Sequence, residues 1–368
     1  IIMSFSPVLA SQHIDEKYKR YLSTIFTIAD NGYAVQFNQL LGNKQSFARG
    51  PYLDVTDSFV KGKSISGLID DEILTPGFRK VNFPQTRPLY KHQEIAILKG
   101  CKGKNLVVST GTGSGKTESF LIPILNQIMK ESDEGILTSG VRALLIYPMN
   151  ALANDQVERL RAILSQTPEI TFGCYTGQTR EKYEDALIEY KSLNNGAVPL
   201  INELICRKQM KQTPPHILIT NYAMLEYLML RPDDSVFFSV EYAEKWKYIV
   251  LDEAHVYTGS TGIEVSMLLR RLKAKLNNPD IRYILTSATL GNENQNDEVA
   301  HFAENLCDSH FALEDVVRAV RVTHKIERTT VCLGHGFYDE IATKIDNGVQ
   351  ESEIIDYIVR ALKIPGKS

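Results

Sequence analysis

Eight residues after a short apolar run set most of what this chain can become. Leu106, Val107 and Val108 lead into Thr-Gly-Thr-Gly-Ser-Gly-Lys-Thr at 110–117. Glycine at 111, 113 and 115 lets the backbone curl with its N–H groups turned inward around a phosphate chain. Thr110, Gly111, Thr112, Gly113, Ser114 and Gly115 would form that cradle. Lys116 would reach the β- and γ-phosphates, and the Thr117 hydroxyl would ligate Mg²⁺. Phe120, Ile124 and Ile128 recur at four-residue spacing, so 116–129 is expected to be a helix whose N-terminus faces the phosphates. Pro123 inside it removes a backbone donor and predicts a kink. Strand, loop and helix in this order specify a nucleotide site.

The rest of the chain repeats the same alternation. Residues 143–147, 170–174, 216–220, 248–251 and 281–285 read as buried strands, with helices expected over 151–164 and 262–276. Continuous apolar strands alternating with helices argue for an α/β fold with a parallel sheet covered on both faces. The polar segment 178–213 reads as a helix plus a surface insertion. Upstream, 13–29 has Tyr18, Leu22, Ile25 and Phe26 on one helical face, and residues 1–85 are assigned to a mainly helical N-terminal accessory region. A nucleotide-binding domain is assigned to 86–310, and 311–368 to a connector.

At 368 residues more than one domain is expected. Lys+Arg 41 against Asp+Glu 44 leaves −3, so any contact with a polyanion must come from local donors rather than a global basic field. No apolar run is long enough to cross a bilayer, and no signal peptide is evident, so no membrane partner is expected. The five cysteines form no CxxC pair, which fits a reducing cytosol and a cytoplasmic protein. Cys307-x2-His310 and Cys332-x2-His335 have a spacing that zinc accepts, but Cys307 follows Phe302 and Leu306 on one helix face and reads as a core cysteine.

Two further features belong to the nucleotide site. Gln93, in Arg-Pro-Leu-Tyr-Lys-His-Gln at 87–93, carries a side-chain amide that donates and accepts at once, as an adenine edge requires. Tyr-Ile-Val-Leu-Asp-Glu-Ala-His at 248–255 puts two carboxylates directly after a buried strand, where α/β sheets bind ligands. Asp252 would hold Mg²⁺ through its water shell, and Glu253 would be the general base toward water attacking the γ-phosphate. His255 would link the site to the loop of the next strand.

Together, 110–117, Asp-Glu-Ala-His at 252–255 and Ser-Ala-Thr at 287–289 resemble motifs I, II and III of superfamily 2 helicases of the DEAH type. Thr110, where the general phosphate-loop pattern has glycine, matches the variant of that superfamily. The resemblance implies a RecA-like domain that binds ATP and Mg²⁺, in which Ser287, Ala288 and Thr289 couple nucleotide state to the nucleic-acid groove. Tyr-Pro-Met-Asn-Ala-Leu-Ala at 147–153 is similar to motif Ia, and Thr176-Gly177 and Thr220-Asn221 resemble the following nucleic-acid motifs. Pro148, Asn150, Thr176, Gly177, Thr220 and Asn221 are thereby implied as contacts to phosphates that read no bases.

A finer resemblance is carried by Gly-Pro-Tyr-Leu-Asp at 50–54, Gly-Lys-Thr-Glu-Ser-Phe at 115–120, Asn-Tyr-Ala-Met-Leu-Glu-Tyr-Leu-Met-Leu-Arg-Pro at 221–232 and His-Val-Tyr-Thr-Gly-Ser-Thr-Gly at 255–262. These look like large bacterial YprA/MrfA-like helicases, some of whose relatives serve anti-phage systems such as DISARM and Druantia. That family implies ATP-dependent 3′-to-5′ movement on single-stranded DNA, a second RecA-like lobe, a C-terminal four-cysteine zinc module, and defence or repair subunits as partners. After residue 290 no second phosphate-loop series and no Gln/Arg-rich motif supplies an arginine finger, a group worth about 10³–10⁵ in rate. The chain, which begins on Ile1, is therefore read as part of something longer that binds ATP but hydrolyses it poorly alone. The competing reading is a nucleotide-gated module that clamps nucleic acid or a partner without unwinding. A nuclease subunit lacks a metal-carboxylate cluster beyond the ATP site.

Overall fold

The computed structural model describes residues 7–42, 57–111, 113–291, 293–322 and 335–361. Thr112 and Cys332, and the 50–54 motif, lie outside the described residues. The strands are β1 (Lys61–Ser64), β2 (Pro88–Tyr90), β3 (Leu106–Ser109), β4 (Ala143–Tyr147), β5 (Phe172–Cys174), β6 (Glu203–Leu204), β7 (Ile217–Asn221), β8 (Tyr248–Leu251), β9 (Arg282–Ser287) and β10 (Val316–Arg318). The helices are α1 (Pro7–Ile25), α2 (Asn31–Gly42), α3 (Ile65–Asp70), α4 (Lys91–Cys101), α5 (Lys116–Asp133), α6 (Asn150–Ile163), α7 (Tyr183–Leu193), α8 (Arg207–Gln212), α9 (Tyr222–Leu230), α10 (Val240–Ala243), α11 (Gly259–Leu276), α12 (Asn296–Cys307), α13 (His335–Asp346) and α14 (Glu351–Ala361).

Eight strands form one sheet in the order β10-β3-β9-β8-β4-β7-β5-β6, and every neighbouring pair is parallel. Alternation along each strand divides the core in two. Leu106 and Val108, Ala143, Leu145 and Tyr147, Ile217 and Ile219, and Tyr248 and Val250 point into the layer with α4, α5 and α6. Val107, Leu144, Ile146, Leu218, Ile249 and Leu251 point into the opposite layer with α9, α11 and α12. Both faces are covered, so the strands have no polar side to show, and the unbroken apolar runs follow from that.

Residues 57–81 pack on the α4–α5 side. Ile65, Leu68, Leu74, Phe78 and Val81 are buried in the same core as Ile97 and Ile124. Ser64 caps α3 by accepting from the Gly67 N–H at 3.2 Å. β1 pairs antiparallel with β2, and Val60 N–H donates to the Val320 carbonyl at 2.8 Å. The sheet also runs past residue 310, because β10 pairs with β3. Upstream, α1 and α2 are mostly exposed.

α5 continues through Pro123, whose ring packs where a side chain on Gly100 of α4 would stand, 2.7 Å from such a Cβ. The 178–213 segment holds α7, β6 and α8, and β6 becomes the last strand of the sheet. A second compact unit lies within residues 323–368 and contains α13 and α14, with Phe337 stacked on Tyr357 at 5.4 Å. No helix among the described residues is long and apolar enough to cross a membrane.

Candidate functional site

The loop after β3 is shaped by its own hydrogen bonds. The Thr110 hydroxyl donates to Ser114 Oγ at 2.7 Å, and Ser114 Oγ donates to the Gly111 carbonyl at 2.7 Å. Gly113 and Gly115 both have φ of 73°, a left-handed conformation that a Cβ would strain. At Gly115 a Cβ would also stand 2.2 Å from Gln93 Nε2. Gly115 caps α5, so Lys116 and Thr117 open that helix beside its unpaired N–H groups.

β9 lies between β3 and β8, so the loop and the acidic pair converge on one edge of the sheet with the end of β9 between them. Thr110 N–H donates to the Ser287 carbonyl at 3.1 Å. Lys116 Nζ lies 3.3 Å from Glu253 Oε1. Asp252 accepts a hydrogen bond from the Thr286 hydroxyl. His255 Nδ1 sits 3.2 Å from Ser287 Oγ and 3.3 Å from Glu253 Oε2, and Thr289 N–H donates to Ser287 Oγ at 3.1 Å. Ala288 is half-buried and Thr289 exposed. Glu253 has φ of 50°, uncommon for a residue with a side chain, which turns its carboxylate back toward Lys116.

Burial holds the Asp252 carboxyl above the usual carboxylate range. The Thr286 hydrogen bond opposes this, Glu253 adds to it, and Lys116 opposes it. Three oxygens close to this pair are buried without hydrogen-bond partners, namely Glu253 Oε2, Tyr147 OH and Tyr257 OH. Burial, with the Asp252 charge as the next cause, raises both phenols. Asp252 and Thr117 offer only oxygen donors, which suits a hard cation such as Mg²⁺ rather than a nitrogen- or sulfur-seeking metal.

Gln93 is buried against the loop. Its Oε1 accepts from Tyr90 N–H at 2.8 Å, and its Nε2 donates to the Gly115 carbonyl at 3.0 Å. His92 beside it donates from Nε2 to the Ser114 carbonyl at 2.9 Å. Burial lowers the His92 pKa, so the ring braces the loop as a neutral donor. His92, Tyr147 and Tyr257 stand inside motifs quoted from the sequence without a role of their own, and Thr286 directly precedes one. Each lies within three residues of a residue given a role there, and only the side-chain direction was lacking.

The nucleic-acid candidates gather at the ends of β4, β7 and β5, the strands beyond β8. Asn221 caps α9 by accepting from Met224 N–H at 2.7 Å, and its Nδ2 donates to Asn150 Oδ1 at 2.7 Å. Asn150 opens α6, so two helix N-termini meet here. Pro148 is half-buried and Gly177 exposed. Thr220 and Thr176 point inward instead. The buried Thr220 hydroxyl donates to the Tyr175 carbonyl at 2.7 Å, and Thr176, 2% exposed, donates its N–H to Thr179 Oγ1 at 2.9 Å.

Cys307 is fully buried at the end of α12, with its thiol pushed up by burial. The exposed His310 ring pairs with Glu304 at 2.6 Å. Among the described residues no group of three or more His, Cys, Asp or Glu could hold a metal ion.

Comparison with known proteins follows the same site. The DEAD/DEAH box helicase family model matches residues 90–297. The chain is 32% identical to the Druantia protein DruE of Escherichia coli (strain UMEA 4076-1), covering 76% of this chain and 20% of DruE. It is 33% identical to the uncharacterized ATP-dependent helicase YprA of Bacillus subtilis (strain 168), covering 55% of this chain and 23% of YprA. The chain thus spans about a fifth of the length of these curated relatives. Among solved structures, the DUF1998 helicase MrfA bound to DNA and AMPPNP superposes with a TM-score of 0.53 at 25% identity, over 75% of this chain and 33% of that one.

Proposed function

The chain belongs to the DEAD/DEAH box helicase family, and from that premise we propose that it is the ATP-binding motor lobe of a helicase or translocase that tracks single-stranded DNA. The observation that carries this reading is the convergence of three adjacent strand ends, which brings Lys116 to Glu253 at 3.3 Å and His255 to Ser287 at 3.2 Å. In a bound state the phosphates compete with Glu253 for Lys116. Released from the ion pair, Glu253 orients a water toward the γ-phosphate and takes its proton. Thr117 and Asp252 would hold Mg²⁺, whose charge would offset that of the phosphate chain. His255 and Ser287 pass the change along the sheet edge toward Asn150 and Asn221, where helix N-termini meet the DNA phosphates. Pro148 and Gly177 flank that path, while Thr176 and Thr220 hold its strands in place.

The DNA assignment is supported by the likeness to MrfA, whose structure is bound to DNA and AMPPNP. A second RecA-like lobe in a longer protein is supported by the fifth of DruE that the chain spans. The likeness to the Druantia protein DruE supports a setting in anti-phage defence, and DNA repair, partner subunits and a cytoplasmic location belong to the same proposal.

Calorimetry tests the site. Lys116→Ala is expected to abolish ATP binding while the circular dichroism spectrum is retained, and ATP binding by that variant would sink the assignment. In the longest form of the protein, single-stranded DNA should stimulate ATP turnover, and Glu253→Gln should remove it. Binding of DNA with no stimulated turnover would favour a nucleotide-gated clamp.

A further inference from the structure

A cleft of about 540 Å³ opens on the base side of the loop, bordered by Tyr90, Gln93, Gly113, Gly115, Glu118 and Arg159. Gly113 and Gly115 of the loop border it while Lys116 and the acidic pair do not, so it adjoins the place where the phosphates would sit. The orientation of the Gln93 amide in this cleft is not ambiguous. A backbone N–H can only donate, so the atom 2.8 Å from Tyr90 N is Oε1. Nε2 then faces two groups that can only accept, the Gly115 carbonyl at 3.0 Å and Glu118 Oε2 at 3.5 Å. The other Glu118 oxygen accepts from Arg159 Nη2 at 2.5 Å. Arg159 stands on α6, the helix that begins at Asn150.

We propose that Arg159 is a positioning residue for base selection: through Glu118 it holds the Gln93 amide in the orientation that matches adenine. This rests on the reading of the cleft as the base site. Adenine presents a donor at N6 beside an acceptor at N7, whereas guanine presents acceptors at both O6 and N7. An amide held in place has a second Oε1 lone pair for the N6 donor, and the Nε2 hydrogen on the long 3.5 Å contact to Glu118 is the one that N7 can share. An amide whose plane tilts between its two backbone partners meets adenine less well, and the advantage over guanine falls. Glu118 is only 12% exposed in its side chain. Without the guanidinium its carboxylate is left partly buried with only the long contact to Gln93, and it turns to solvent. Nε2 then keeps the Gly115 carbonyl but loses its second acceptor, the one that fixes the tilt of the amide plane. The same ion pair ties the base cleft to the helix whose first residue stands at the nucleic-acid edge.

The test is equilibrium displacement of a fluorescent ATP analogue by ATP and by GTP, using the whole chain. Wild type is expected to prefer ATP. Arg159→Ala, or Arg159→Gln where a milder change is needed for folding, should narrow the ATP-to-GTP affinity ratio by about tenfold, the scale of one hydrogen bond to a charged or buried partner. Arg159→Lys keeps the ion pair and should keep most of the preference. Gln93→Ala should narrow the ratio as far as Arg159→Ala does. Equal weakening of ATP and GTP in Arg159→Ala would reduce the residue to structural support and overturn the proposal. An unchanged ratio in Arg159→Ala with a narrowed ratio in Gln93→Ala would overturn it too, and leave the base cleft standing. An unchanged ratio in both would remove the base cleft and the proposal together.

Discussion

Asp252, the carboxylate proposed to hold Mg²⁺, is buried at the expense of the fold. Its folded pKa is raised, with burial the first cause. The native state therefore binds more protons than the unfolded chain between the ordinary carboxylate value and the raised one. Stability from this group falls as pH rises through that window, and above it the buried charge opposes folding. Asp252→Asn keeps an acceptor for Thr286 and removes the charge. We expect the ligand-free variant to melt higher near neutral pH, by about 2 °C or more, and to lose the extra stabilisation that Mg²⁺ adds to ATP. Differential scanning calorimetry with and without MgATP checks both halves, and a lower melting point in the ligand-free variant would contradict the first. Lys116 and Glu253 sit in the same tension, since the ion pair that satisfies them without ligand must open for each to meet a nucleotide.

Among the elements, β4, β5 and β7 are aligned at the edge opposite the site by His216, just before β7. Its Nδ1 accepts from Thr171 N–H at 2.9 Å, its Nε2 donates to the Thr138 carbonyl at 3.2 Å, and its own carbonyl accepts from Arg142 N–H at 2.8 Å. These roles require a neutral ring, and burial lowers its pKa from 6.5 to about 4. Between those values the unfolded chain takes up a proton that the native state refuses, so stability is lost as pH falls through the window. The slope from this group approaches about 1.4 kcal/mol per pH unit. His216→Gln retains a donor and an acceptor but does not titrate, so urea midpoints measured across the window should fall less steeply with acid than in the parent. Parallel curves would show that the ring is not the titrating group. α6 is tied at several points, to Asn221 through Asn150 at its start, to Glu118 through Arg159 and to Glu203 through Arg161 further along.

At the scale of the molecule, strand order divides one sheet edge into two territories. β3, β9 and β8 end at the nucleotide groups, and β4, β7 and β5 end at the nucleic-acid candidates. The second territory offers the Asn150 and Asn221 amides and two helix starts, with the Arg207 guanidinium held on the Thr176 carbonyl at 3.0 Å. Neutral donors release few counterions, so the salt dependence of single-strand binding should be shallow. We expect a log–log slope of magnitude below about 2, equivalent to two or three neutralised phosphates. Fluorescence anisotropy of a labelled oligonucleotide across a salt series measures it, and a slope several-fold steeper would point to a basic surface elsewhere.

The sequence by itself determined the parts whose chemistry is local. Gly113 and Gly115 encode the loop, because only a few consecutive dihedrals need to be right. The buried runs before 110, 148, 221 and 252 encode strands covered on both faces, because a strand with no polar side reads as unbroken hydrophobicity. Only the tertiary structure decided what depends on residues far apart in the chain. β6 and β10 are two and three residues long, too short to carry a periodic signal, and exist because a neighbour offers a ladder of hydrogen bonds. Pro123 is accommodated in α5 because Gly100 leaves room for its ring. Thr220 turns inward while Asn221 faces Asn150, a choice made by strand alternation against a packed core. Arg159 lies 41 positions from Glu118, and no local pattern links them. The crossing of α6 over the end of the phosphate-loop helix does.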